Sequence, residues 1–145
     1  MCRKTSVYLL DTNVISEMCR IDAAKGSANV ARWLASVNGA SLYVSAVTML
    51  EQEYGVLLME RRDTTQGRAL RRWIERWKSI IEGRCLPVDS DIAIRAAGLH
   101  VPNPRPNYDA LIAATALAHD LCVVTRNIAD FDVPNLAVIN PWETK

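Results

Sequence analysis

The stretch VYLLDTNVISE, Val7 to Glu17, begins with four β-leaning apolar residues and stops on Asp11-Thr12-Asn13, residues that favour helix starts. It reads as strand, turn, helix. The same signals return downstream. Ser41-Leu42-Tyr43-Val44 is a second strand, with Ser45 placed to cap the helix that follows. Leu86-Pro87-Val88 before Asp89-Ser90-Asp91 gives a third strand and another capped helix, which carries Ile92, Ala93, Ala96, Ala97 and Leu99. Leu121-Cys122-Val123-Val124 is a continuous apolar run of the kind a strand buried on both faces requires, and Leu136 to Ile139 supplies a last strand before Asn140-Pro141.

Between these runs the period changes from two to 3.6. A helix fits Ala28 to Val37, with Val30, Trp33, Leu34 and Val37 on one face and Asn38-Gly39 at its end. In the next, Val47, Leu50, Tyr54, Leu57 and Leu58 form an apolar stripe that contains Glu51, while Glu53 points elsewhere and reads as solvated. A further helix runs from about Arg68 to Ile81, with Leu70, Trp73, Ile74, Trp77 and Ile81 inward. Three prolines between Pro102 and Pro106 demand a loop, after which Asp109 opens an alanine-rich helix to Ala118. Strands alternating with helices imply an α/β fold with a mostly parallel sheet and right-handed crossovers.

The 145 residues suit one domain, 1–145, and a composition 50% hydrophobic and 23% charged is that of a globular chain that needs no staples. The amino-terminal MCRKTSVYLLDTN has only a four-residue apolar run, too short for a signal peptide or membrane span, which places the protein in the cytosol and off the membrane. Cys2, Cys19, Cys85 and Cys122 show no C-x-x-C spacing, and only His100 and His119 are there to join them in a zinc site; they read as buried or idle thiols. The net charge of +1 makes no general attraction for nucleic acid. Locally, Arg61, Arg62, Arg68, Arg71, Arg72, Arg76, Lys78 and Arg84 outnumber Asp63, Glu75 and Glu82, so this segment reads either as a phosphate-facing surface or as an ordinary solvated helix face.

Three distant acids, Asp11, Glu51 and Asp109, stand at junctions of strand and helix, and Asn127 follows the late strand. Ligands of open α/β sheets bind beyond the carboxyl ends of the strands, so all four residues are expected at one crevice. Taken singly, Asp11 and Asp109 also read as helix caps. Glu51, inside an apolar stripe, must be paired, protonated or bound to a cation. Carboxylates gathered in a low-dielectric pocket repel one another and either take up protons or neutralise a bound ion. Mg²⁺ suits the second outcome, because it binds through one or two carboxylates, keeps waters and leaves room for phosphate oxygens.

The strings LLDTNVISE (Leu9 to Glu17), SAVTMLEQEYG (Ser45 to Gly55), YDALIAATALAHDL (Tyr108 to Leu121) and VVTRNIADF (Val123 to Phe131) together resemble a PIN-domain ribonuclease of the VapC toxin family. A closing N-P-W, Asn140 to Trp142, is similar to its FitB-like branch. The resemblance implies a three-layer α/β/α sandwich on a parallel sheet of about five strands. It implies a Mg²⁺- or Mn²⁺-dependent endoribonuclease toxin that is a homodimer, takes RNA (tRNA first among candidates), and is inhibited by a VapB- or FitA-like antitoxin, with DNA met only through that antitoxin. By motif match, Asp11 and Asp109 are the principal metal ligands and Glu51 completes the triad. Thr12, Asn13 and Thr115 support them through hydrogen bonds, Asn127 occupies the place where many PIN domains carry a fourth acid, and Asp130 lies three residues on.

Rival chemistries fit less well. A phosphatase with its nucleophile at Asp11 needs an acid two residues later, where this chain has Asn13, and a receiver domain needs an acidic pair before the first helix and a late Lys. The alternative from another class is a PIN-like subunit that cleaves little and acts with a DNA-binding antitoxin as a corepressor.

Overall fold

The computed structural model describes residues 7–143. Strands alternate with helices in the order β1 (Tyr8–Leu10), α1 (Thr12–Asp22), α2 (Ala28–Ser36), β2 (Leu42–Ser45), α3 (Ala46–Arg62), α4 (Thr64–Ile81), β3 (Cys85–Leu86), α5 (Ser90–Leu99), α6 (Asn107–His119), β4 (Cys122–Val124) and β5 (Val138–Ile139). All five strands pair in parallel, in the order β3-β2-β1-β4-β5. The chain moves from β1 to one side for β2 and β3, then crosses to the other side for β4 and β5. The order therefore reverses between β1 and β4, and their carboxyl ends frame the crevice that such sheets offer to ligands.

Alternate strand residues feed two cores. Tyr8, Leu10, Leu42, Val44, Cys122 and Val124 meet Val14, Ile15, Trp73, Ile74 and Trp77 on one face. Leu9 and Val123 meet Ile112, Ala113, Ala116 and Phe131 on the other. Both faces of β1 and β4 are thus covered, which is why those runs are apolar without alternation. The three-layer α/β/α arrangement expected from the sequence is the one observed. No helix of the described residues is long and apolar enough to cross a membrane.

Several boundaries differ from the sequence reading. Helix α4 starts at Thr64, not near Arg68, because Asp63 both closes α3 and accepts a hydrogen bond from Gln66 N, so one polar residue turns the chain between two helices. Gly67 is required at that junction: a Cβ there would stand 2.5 Å from Glu60 Cα. Helix α6 starts at Asn107, so Asp109 sits inside its first turn and does not open it. The third strand is Cys85–Leu86, ahead of the predicted span.

The larger correction concerns α3. Leu50, Tyr54, Leu57 and Leu58 were expected inward, yet they are 50, 61, 52 and 51% exposed, and the buried side of the helix is Val47, Thr48 and Val56. An apolar stripe identifies a face that avoids water; it does not say which neighbour covers it. Glu53, expected to be solvated, is held by Arg71 through two hydrogen bonds of 2.7 and 2.9 Å, and Arg71 also grips Glu60. Lys78 joins the same network through Glu53 and Glu75. Two cations of the basic segment are therefore spent clamping α4 to α3. Cys19 and Cys85 are free thiols as read, whereas buried Cys122 is disulfide-bonded; Cys2 and the rest of the amino-terminal stretch before Val7 lie outside the described residues.

Candidate active site

Asp11 follows β1 directly, and its N–H donates to the Val124 carbonyl (2.9 Å), extending the sheet ladder by one residue. Because Leu10 pairs with Val124, the next residues along, Asp11 and Thr125, stand side by side. The Thr125 hydroxyl, fully buried, donates to Asp11 Oδ2 at 2.7 Å, and Thr12 N donates to Oδ1 at 2.8 Å. Asn13 Nδ2 reaches both Asp11 Oδ2 (3.4 Å) and Thr125 Oγ1 (3.3 Å). With only 6% of its surface exposed, Asp11 is held by donors on both sides of the β1–β4 gap. Burial still outweighs them and leaves its carboxyl above the ordinary range, with Asp130 adding to the rise.

Glu51 enters from α3. Its Oε1 accepts a 2.6 Å hydrogen bond from the Thr12 hydroxyl, so a single threonine holds two acids that lie 40 positions apart. The exposed stripe around Glu51 does not force this pairing, contrary to the sequence argument; the half-buried position at the rim of the crevice does. Burial raises its pKa, the Thr12 bond lowers it, and Asp11 raises it again.

Asp109 comes from the first turn of α6, where the helix dipole favours a negative group. Its pKa is pushed up to about 6 by burial and then by Asp11, Asp130 and Glu51. Four carboxylates from four separate segments thus share one field. In the metal-free protein this repulsion costs stability once the group ionises. Asp109→Asn is expected to raise the melting temperature at neutral pH by a few degrees, about 1 kcal/mol after allowing for solvent screening of a half-exposed group. The sign follows from a folded pKa above the unfolded one. The penalty is absent below the ordinary value of 3.8 and complete above about 6, so the gap between variant and wild type should close on acidification. Equal melting temperatures for both proteins across this range would show that Asp109 lies outside the cluster's field.

The remaining predicted residues divide. Thr12 and Asn13 hydrogen-bond to the acids as expected. Thr115 does not: its buried hydroxyl donates to the Leu111 carbonyl (2.7 Å), one turn back in its own helix, the local bond that threonines commonly make there. Asn127 contributes its N–H to Thr125 Oγ1 (3.0 Å), while Asp130, in a 3₁₀ turn at Ile128–Phe131, supplies the fourth charge felt by Asp11 and Asp109. Thr125 was missed as a site residue. The strand register, once known, identifies it, because it is the neighbour of Asp11 across the central pair. A separate cavity of about 320 Å³ between α1, α2 and α4, lined by residues such as Met18, Leu34, Trp73 and Trp77, includes none of the four carboxylates.

Comparison with known proteins agrees with this architecture. Residues 8–133 match the model of the PIN domain. The chain is 34% identical to VapC ribonuclease Y4jK of Sinorhizobium fredii and 36% identical to toxin FitB of Neisseria gonorrhoeae, in each case over 94% of this chain and 99% of the relative. It superposes on a structure of FitAB bound to an IR36 DNA fragment with a TM-score of 0.79, at 32% identity, covering 95% of this chain and 97% of that one. The chain belongs to the PIN-domain family, on the branch of its VapC- and FitB-named relatives.

Proposed function

We propose that the chain is a toxin of a type II toxin–antitoxin pair, a divalent-metal-dependent endoribonuclease acting in the cytosol on RNA, with tRNA as first candidate. The observation that carries this reading is the placing of Asp11 and Glu51 on the two hydrogen-bonding groups of Thr12, beside Thr125 at the β1–β4 switch point. The names of the VapC and FitB relatives support it. The donor set fits Mg²⁺ or Mn²⁺, being hard oxygen from carboxylates in mutual repulsion. Among the described residues no group of three His, Cys, Asp or Glu side chains is placed to hold a metal ion together, and Mg²⁺ needs only one or two carboxylates alongside its waters.

Asp11 and Asp109 would hold the ion, and Asp130 would add the charge that Asn127 lacks. When bound, the ion supplies Lewis acidity toward the scissile phosphate and makes the attacking water more acidic. Glu51, one oxygen held by Thr12, would keep Oε2 free to orient a water and hold its proton, a task to which a raised carboxyl pKa is suited. The water oxygen would bond to phosphorus as the bond to O3′ breaks, and the departing O3′ would take a proton from solvent, leaving a 3′-hydroxyl and a 5′-phosphate. Thr125 fixes the direction of Asp11. Thr125→Val should therefore lower cleavage and metal affinity about 10- to 100-fold, with Thr125→Ser restoring most of both. Unchanged values in the valine variant would show that Asp11 is oriented without this hydroxyl.

The partners that complete this reading are an antitoxin of the VapB or FitA kind, DNA reached through that antitoxin, and a second copy of the chain. The DNA-bound FitAB relative favours a second reading, in which the chain acts chiefly as a corepressor. Sequencing RNA ends after brief production of the chain without its antitoxin separates the two. New ends that disappear with Asp109→Asn support the ribonuclease; no new ends, together with no metal binding by the purified chain, favour the corepressor.

A further inference from the structure

The closing Asn140-Pro141-Trp142 follows β5 on the rim of the crevice and takes no part in the chemistry above. Trp142 is fixed from several sides. Its N–H donates to Asn140 Oδ1 (2.9 Å), its carbonyl accepts from Asn29 Nδ2 of α2 (2.7 Å), and its side chain packs against the core that contains Tyr8 and Val124. Asn140 Nδ2 meets both the Arg126 carbonyl and Glu143 Oε1 at 3.4 Å. Over the tryptophan ring, 5.4 Å from its centre, lies the Arg126 guanidinium.

Arg126 comes directly after Thr125, whose hydroxyl grips Asp11, and its own N–H reaches Asn13 Oδ1 (3.4 Å). The side chain is exposed, and among the described residues its guanidinium makes no hydrogen bond and no ion pair. Other arginines are spent: Arg71 on Glu53 and Glu60, Arg84 and Arg105 on backbone carbonyls. A cation this close to the crevice would quench the acids if it fell among them. The indole face holds it outside instead, and Asp11, Glu51 and Asp109 feel other acids but not Arg126.

We propose that Arg126, laid on Trp142, binds a phosphate of the RNA strand next to the one being cut and so steers the strand into the crevice. The inference rests on the ribonuclease reading and names a substrate contact within it. Four carboxylates repel a polyanion, and one divalent ion cancels only part of that charge, so entry calls for an uncommitted cation at the rim. A guanidinium offers five donors in a flat fork that suits two phosphate oxygens, and stacking restricts its rotation while leaving its edge available. Trp142 is thereby a positioning residue, acting through Arg126. The contact takes hold of the backbone and carries no base preference of its own.

Kinetics of the purified, antitoxin-free chain on total tRNA with Mn²⁺, at several KCl concentrations, test this. Arg126→Gln should raise KM about tenfold, leave kcat within about twofold, and reduce the slope of log KM against log salt by about one. Mn²⁺ affinity and melting temperature should stay native, because the side chain is exposed and touches none of the acids. Arg126→Lys should recover the salt slope but only part of KM, since it keeps the charge without the fork. Trp142→Leu should raise KM in wild type yet add little to Arg126→Gln, a non-additivity that lost packing alone would not give. A wild type that leaves tRNA intact would overturn the ribonuclease reading and this contact with it. A cleaving wild type whose KM and salt slope are unchanged in Arg126→Gln would overturn the contact alone. A fall in kcat or Mn²⁺ affinity at unchanged KM would move Arg126 to the metal centre and also overturn it. A Trp142→Leu effect that persists in full beside Arg126→Gln would overturn the role of the ring.

Discussion

Asp11→Asn is expected to lower RNA cleavage by at least about a thousandfold while the fold persists. The substitution keeps the side-chain shape and one carbonyl-type oxygen, so the Thr12 N–H retains its acceptor and α1 its start. Facing an amide NH₂, the Thr125 hydroxyl, which already accepts from Asn127 N and Asn13 Nδ2, can become an acceptor by releasing the longer bond from Asn13, a local cost that leaves the fold intact. What is lost is the negative charge at the centre of the four-acid field, and with it the strongest attraction for a cation. Calorimetric titration with Mn²⁺ should show the loss of binding alongside the loss of cleavage. A variant that melts like wild type yet cleaves within tenfold of it would remove Asp11 from the chemistry.

Phe131→Ala is expected to cost about 3–5 kcal/mol, since a fully buried aromatic ring is replaced by a methyl group in a core that cannot collapse to fill the space. For a chain of this length that is roughly a 10 °C fall in melting temperature. Phe131 closes the 3₁₀ turn Ile128–Phe131 and lies in the same core as Ile112, Ala113 and Ala116 of α6. It therefore anchors Asp130 next to the helix that carries Asp109. Weaker metal binding should accompany the lost stability. A cost below about 1 kcal/mol would mean that the turn is not fixed by this ring.

These two residues illustrate what the sequence disclosed and what it withheld. The strands were legible because β1 and β4 are covered on both faces and must be apolar throughout, and the acids were legible because they sit where such runs end. Thr125 was not, since its value depends on the β1–β4 register, which strand sequences alone do not specify. Asp130 was noted, but its charge acts on Asp11 and Asp109 only once Phe131 has packed the turn down. Thr115 looked like a ligand-supporting hydroxyl, and its own helix offered it a nearer acceptor. The α3 stripe failed differently. Periodicity detected an apolar face correctly and misassigned its cover, because the sheet and α4 had already claimed the other side of the helix. Of the basic segment, which read either as a phosphate-facing surface or as a solvated helix face, Arg71 and Lys78 are committed to Glu53, Glu60 and Glu75, pairings that need the packing of α3 against α4.

The most direct test is cleavage of RNA by the purified chain, freed of any antitoxin, before and after EDTA and again after Mg²⁺ or Mn²⁺ is restored. The site described here predicts internal cuts bearing 5′-phosphates, abolished by the chelator, recovered with the ion, and absent throughout from the Asp11→Asn protein. Cleavage that proceeds unchanged in EDTA, or that survives in the variant, would contradict it.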